Sequence, residues 1–150
     1  MSFQEVCGDL WELARGDVLV ITTNGCINSR GECIMGRGIA LQAKQRFPEV
    51  AKKLGGYIRQ YGNRCFNLGR FGDYTLVSFP TKDDWRKPSS LELIIRSAGQ
   101  LVEMANKFEW SVVYMPRPGC GNGRLSWQQV APVLERILDE RFYIAQGGRC

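Results

Sequence analysis

Met115-Pro-Arg-Pro-Gly-Cys-Gly-Asn-Gly-Arg-Leu-Ser-Trp127 is a glycine-rich stretch set between two elements of different kind. Trp110-Ser-Val-Val-Tyr114 before it is an apolar run that reads as a strand. Gln128 to Leu138 after it carries a helix-like pattern, Pro132 aside. Strand, glycine loop and helix start together make a common phosphate holder. Glycines let backbone N–H groups approach an anion, and the helix N-terminus adds partial positive charge. No Gly-Lys-Ser/Thr follows the glycines, so this is no P-loop, and their spacing differs from the dinucleotide fingerprint. Taken alone, the segment reads equally well as a tight strand-to-helix turn.

A second loop of the same kind changes that balance. Asp17-Val-Leu-Val-Ile21 is a short apolar, β-branched run and so a buried strand. Thr22-Thr-Asn-Gly-Cys26 follows it. Ile34-Met-Gly-Arg-Gly-Ile-Ala40 then leads into a helix over Gly38 to Phe47, ended by Pro48. Two glycine loops, each after a strand and before a helix, suit a ligand with two phosphates at the edge of an open α/β sheet.

The remaining chain fits the same architecture. Strands are predicted near Phe3–Val6, Cys65–Phe71, Tyr74–Pro80 and Phe142–Ile144, with Gly72-Asp73 as a hairpin turn. Short helices are predicted at Leu10–Ala14 and Ala51–Gln60. A longer one over Leu91–Phe108 has Ser89 or Ser90 as its cap. Alternating strands and helices predict a three-layer α/β/α sandwich with a mixed central sheet, as a single domain over 1–150. The tail 145–150 is expected to fray.

Composition bounds the chemistry. With 150 residues and 44% hydrophobic content the chain can bury a real core. It has no span-length apolar run and no signal pattern, so a cytoplasmic, membrane-free protein is expected. The chain has no histidine, which excludes a Ser-His-Asp or Cys-His machine and a histidine base. The six cysteines form neither a ladder nor a close pair, and no metal or cofactor is expected. Cys26 and Cys120 flank the loops and read as small loop or core residues. A net charge of +5 favours an anionic ligand or nucleic acid, or serves solubility. The basic residues Arg59, Arg64, Arg70, Arg86 and Lys87 are candidates for one rim.

Gly8-Asp-Leu10, Asn24-Gly25, Met35-Gly-Arg-Gly-Ile-Ala40 and Pro116-Arg-Pro-Gly-Cys-Gly-Asn-Gly-Arg-Leu125 together resemble a macro domain, the ADP-ribose-binding α/β module. They span almost the whole chain in the expected order. Phe79-Pro-Thr-Lys82, Trp85-Arg86 and Met115–Gly121 resemble the branch holding terminal ADP-ribose glycohydrolases and DNA ADP-ribosyl glycohydrolase antitoxins. The resemblance implies that ADP-ribose is held by Asp9 and Leu10, by Asn24, by Met35-Gly36-Arg37-Gly38-Ile39, by Thr81, and by Pro118-Gly119-Cys120-Gly121-Asn122-Gly123. It implies Lys82 as the reactive amine at the distal ribose, with Asn24 beside that sugar. It implies Asp9 as acceptor from the adenine amino group.

Each residue also has a plainer reading. Asp9 before Leu-Trp-Glu-Leu is a good helix cap, and Trp11 is near the adenine or simply core. Asn24-Gly25 is a turn dipeptide. Lys82 is a solvated lysine in a charged loop. If it reacts, its pKa must be lowered, by burial or by Arg86 and Lys87, with Asp83 and Asp84 opposing. Trp85 and Arg86 stack on a base and touch a phosphate, or cover apolar surface. The extra residues 27–32 could reshape the mouth of the site.

In the resembling terminal glycohydrolases an acid stands where this chain has Gly123, which tilts the expectation toward a DNA-type hydrolase. The expected activity is removal of ADP-ribose from nucleic acid, with thymine in single-stranded DNA as the target. The alternatives are hydrolysis of ADP-ribose esters on protein carboxylates or of an ADP-ribose phosphate ester, or a non-catalytic ADP-ribose reader. The expected partners are ADP-ribose, ADP-ribosylated substrate and single-stranded DNA, with the protein a monomer. At 150 residues the sequence is expected not to include the partner-binding domain of a full antitoxin.

Overall fold

In the computed structural model, which describes residues 2–146, six strands form one sheet with helices on both faces. In chain order the elements are β1 (Gln4–Val6), α1 (Leu10–Leu13), β2 (Val18–Asn24), α2 (Gly38–Arg46), α3 (Val50–Tyr61), β3 (Phe66–Phe71), β4 (Tyr74–Lys82), α4 (Leu91–Lys107), β5 (Val113–Pro116), α5 (Trp127–Glu135) and β6 (Phe142–Ala145). The strand order is β1-β6-β5-β2-β4-β3. All neighbours are parallel except the β3–β4 hairpin. The sheet is mixed, as expected.

Alternation along the strands produces two cores. In β2, Leu19 and Ile21 face one side with Leu76 of β4, against α1, α2 and α3. Val18 and Val20 face the other, with Val77, Phe79, Val113 and Met115, against α4 and α5. A period of two in a strand sends successive side chains to opposite faces, so a strand buried on both faces reads as a continuous apolar run. This makes the sandwich three-layered.

Helix ends follow local chemistry. The Ser90 hydroxyl accepts from the Leu93 amide at 3.2 Å and caps α4. Ser126 and Gln129 form a reciprocal capping box at α5. α5 ends at Glu135, three residues earlier than its periodicity predicts. β2 runs three residues past its apolar run, which ends at Ile21, and β4 two past Pro80, because register pairing carries them on to Asn24 and Lys82. Ala145 is a buried residue of β6 rather than part of a frayed tail; residues 147–150 lie outside those described.

Residues 27–32 fold into a tight loop pinned by Asn28. Its side-chain oxygen accepts from the amides of Arg30 (2.9 Å) and Glu32 (3.0 Å). The loop docks on α3, where Cys33 N–H donates to Ala51 O at 2.9 Å. Gly55 makes this possible: a Cβ there would lie 2.0 Å from Gly31 O and 2.9 Å from Cys33 N. Glycine to alanine within a helix ordinarily gains about 1 kcal/mol. Here the methyl meets backbone, and overpacking costs about 1–3 kcal/mol or more. Gly55→Ala is therefore expected to lower the urea midpoint, with a net loss near 2 kcal/mol. An unchanged or raised midpoint would show that the loop yields freely.

Candidate functional site

The carboxyl ends of β2, β4 and β5 meet at the centre of the sheet. After β2 the chain builds β3 and β4 on one side of it and then crosses to β5 on the other, and open α/β sheets form crevices at such points. A cavity of about 390 Å³ opens there. Its floor is Thr22, Thr23 and Asn24 from β2 with Thr81 and Lys82 from β4. One wall is Met35 to Ala40, including the Gly36-Arg37-Gly38 turn into α2. The opposite wall comes from the loop after β5, through Gly119, Cys120, Asn122 and Gly123. Gly38 (φ +59°) and Gly119 (φ +78°) occupy backbone conformations that favour glycine. Arg37, at the N-cap of α2, supplies no side-chain cap, which leaves that first turn open to an anion.

The two glycine loops approach each other across the cavity. A Cβ on Gly38 would lie 3.7 Å from the Asn122 side-chain nitrogen. Pro118 and Gly121, both expected to touch a ligand, belong to this loop but do not line the cavity. The Pro118 ring is buried beneath the loop, and Gly121 is exposed at the start of its 3-10 turn, Gly121–Gly123.

A second, wider cavity of about 780 Å³ adjoins the first and shares Ile39 and Pro116 with it. Asp9 and Leu10 line it, with Trp11, Gln42 and Arg46. Asp9 is an exposed residue. It caps α1 by accepting from the Trp11 amide at 2.8 Å through one oxygen. The cap reading of Asp9 is thus observed, and a cap occupies only part of a carboxylate's acceptor capacity. Trp11 is core. Its indole N–H donates to Gln42 at 2.8 Å, Tyr74 packs edge-on against it, and the Arg46 guanidinium lies over its ring.

Asn24 and Lys82 are register partners across β2 and β4, next to a bulge at Thr23/Asn24. The Asn24 oxygen accepts from Cys26 N–H at 2.9 Å, and its amide donates to Ile34 O at 2.9 Å. Asn24 thus pins the start of the Met35–Ala40 wall. One amide hydrogen remains for a ligand.

The Lys82 amine donates to Asn122 O at 3.4 Å. Its pKa is held below the ordinary lysine value, first by burial, then by the positive charges of Arg37 and Arg124. The sequence-adjacent candidates Arg86 and Lys87 are not the cause. Arg86 is engaged with Asp84, Nε to Oδ1 at 3.0 Å and Nη2 to Oδ2 at 2.7 Å. Asp83 accepts from Asn63 at 2.8 Å. Among the described residues neither acid forms an ion pair with Lys82. None of Arg59, Arg64, Arg70, Arg86 and Lys87 lines the cavity, and no residue of 27–32 does. Trp85, 44% exposed, does line it.

Burial pushes the Cys33 and Cys65 thiols up to about 12 and raises Cys120 as well. Sequence reading missed Ser89 as a lining residue. It was weighed only as a helix cap, a role Ser90 takes.

A mixed α/β sandwich with two glycine loops facing each other at the carboxyl edge defines a macrodomain-type nucleotide-binding module. The chain matches no family model. It is 32% identical over 130 residues to a DNA ADP-ribosyl glycohydrolase of Mycobacterium tuberculosis, a match covering 77% of this chain and 35% of that protein. It is 30% identical over 134 residues to the ADP-ribose glycohydrolase OARD1 of Bos taurus, covering 89% of this chain and 82% of that one. The solved macrodomain of Mycobacterium tuberculosis DarG superposes with a TM-score of 0.77 at 27% identity, covering 97% and 98% of the two chains. The chain belongs to the macrodomain family. It spans about a third of the length of the DNA ADP-ribosyl glycohydrolases it matches. Among the described residues no helix is long and apolar enough to cross a membrane.

Proposed function

We propose that this chain is an ADP-ribosyl glycohydrolase that removes ADP-ribose from a nucleobase, thymine in single-stranded DNA, and so reverses toxin-type DNA ADP-ribosylation in the cytoplasm. The observation that carries the reading is Lys82. Its partly desolvated amine sits on the cavity floor between the two glycine loops, flanked by cations and paired with no carboxylate. A neutral amine so placed is a nucleophile. The amine attacks the anomeric carbon of the distal ribose and the base departs from that carbon. Water then releases the sugar from the lysine. The backbone N–H groups of the two loops hold the diphosphate, and Asp9 accepts from the adenine amino group in the adjoining cavity. The positive balance of the chain and the exposed Trp85 beside Lys82 support a nucleic-acid substrate.

The likeness to the ADP-ribose glycohydrolase OARD1 keeps a second reading open to test, hydrolysis of ADP-ribose esters on protein carboxylates, which the motif resemblance to terminal ADP-ribose glycohydrolases implies. Parallel incubation with ADP-ribosylated single-stranded DNA, ADP-ribosylated protein and an ADP-ribose phosphate ester separates them. Release from DNA at the highest rate is expected. Release from protein alone would install the second reading, and binding without any release would make the protein a reader.

Asp9→Ala should weaken ADP-ribose binding by about 1.5–3 kcal/mol, the range for a hydrogen bond to a charged group. Because the same change removes the α1 cap, it should also cost about 1 kcal/mol of stability. Calorimetry at a temperature where the variant is fully folded separates the two. Unaltered affinity there would leave Asp9 as a cap only.

A further inference from the structure

We propose that the Ser89 hydroxyl is a ligand-positioning group of this site, hydrogen-bonded to a hydroxyl of the distal ribose. The inference rests on the ADP-ribose reading above. Ser89 is only 7% exposed, yet its Oγ has no hydrogen-bond partner among the described residues. A buried hydroxyl without a partner is destabilising, so native structures keep few of them, and each calls for an explanation. The helix does not explain this one, because α4 is capped by Ser90. The backbone is fully engaged on its own account: Ser89 N–H donates to Gly123 O at 2.9 Å, and Ser90 N–H to Thr81 O at 2.9 Å.

Ser89 lines the 390 Å³ cavity, and its hydroxyl lies buried at that wall, against the backbone of Gly123. A Cβ at Gly123 would lie 2.3 Å from Ser89 Oγ and 3.1 Å from Ser89 Cβ. A side chain at 123 and a hydroxyl at 89 therefore compete for one volume, and this chain has kept the hydroxyl. The neighbouring residue of the same turn, Asn122, accepts from the Lys82 amine. Ser89 and Lys82 thus reach the same short stretch of loop from two different elements. The ligand part that meets Ser89 is the sugar at the reacting end, whereas the adenine end lies toward Asp9 in the other cavity. Ser89 has no partner of its own to activate it as a nucleophile, so it acts by orienting the sugar.

Ser89→Ala tests this with two ligands, ADP-ribose and ADP, which lacks the distal ribose. The expected result is an affinity for ADP-ribose lowered about three- to tenfold with ADP binding unchanged. Without ligand the variant should melt no lower than the wild type, and up to about 2–4 °C higher, since an unsatisfied buried hydroxyl has been removed. Gly123→Ala, whose methyl takes the hydroxyl's place, should show the same selective loss. Equal ADP-ribose affinity, or an equal loss for both ligands, would overturn the assignment while leaving the proposed function standing. A lower melting temperature of the unliganded Ser89→Ala variant would mark the hydroxyl as structural and overturn it too. A wild-type protein that bound no ADP-ribose would overturn both.

Discussion

Lys82→Ala is expected to bind ADP-ribose with nearly wild-type affinity and to lose at least about a thousandfold in turnover of ADP-ribosylated single-stranded DNA. In the proposed function the diphosphate is held by the glycine loops and the adenine beside Asp9, which line the two cavities, and those contacts would supply most of the ground-state affinity. Under that proposal the amine acts on the anomeric carbon, an interaction realised in the transition state, so its loss would appear in kcat. Lys82→Arg should be equally inactive, because a guanidinium cannot give up its proton in the working range.

The reaction needs the neutral amine, which is the form present above its pKa. Activity should therefore rise with pH through a lysine pKa below the ordinary value and level off above it. Arg37 and Arg124 help to hold that pKa down, so Arg37→Gln or Arg124→Gln should move the rising limb to higher pH. Changing Arg86 should leave the limb in place, because Asp84 already engages its charge. Single-turnover rates between pH 6 and 10 measure all of this. A Lys82→Ala or Lys82→Arg protein that turned over at the wild-type rate would make Lys82 a bystander.

Gly121→Glu is expected to abolish measurable ADP-ribose binding while leaving the fold intact. Gly121 is exposed, has φ +69°, and a Cβ there meets no protein atom within 4 Å. The positive φ costs a non-glycine residue about 1–2 kcal/mol, which a folded domain tolerates. Charge makes the larger effect. Gly121 lies outside the cavity lining, but a longer side chain on this loop that brought its carboxylate to about 4 Å from a bound phosphate would cost about 4 kcal/mol at an effective dielectric near 20, or roughly a thousandfold in affinity. Gly121→Gln carries the bulk and strain without the charge and should lose much less. Calorimetry with ADP-ribose up to millimolar concentration reads both variants, and circular dichroism checks the fold. Retained affinity in Gly121→Glu would show that this loop does not cradle phosphate.

The linear chain determined the class of this protein. β2 and β4 announce themselves through β-branched and apolar runs, α4 through its apolar spacing, and both loops through glycines between a strand and a helix. These are short-range signals: periodicity, capping and turn preference act within a few residues. Lys82 and Asn24 stand out only through the resemblance of their motifs to the family; on the residues alone they read as a solvated lysine and a turn residue.

What sequence could not supply is which distant groups meet. Pairing with β2 extends β4 through Thr81 and Lys82 and sets Lys82 opposite Asn24. The cations acting on Lys82 are Arg37 and Arg124, from two separate loops, rather than its neighbours Arg86 and Lys87. Residues 27–32 pack on α3 instead of reshaping the cavity. Of two adjacent serines, Ser90 caps the helix while Ser89 lines the cavity with its hydroxyl left unpartnered. Coulomb interaction, burial and hydrogen bonding depend on separation through space. That separation is set by strand order and register, and so only the folded sheet decides it.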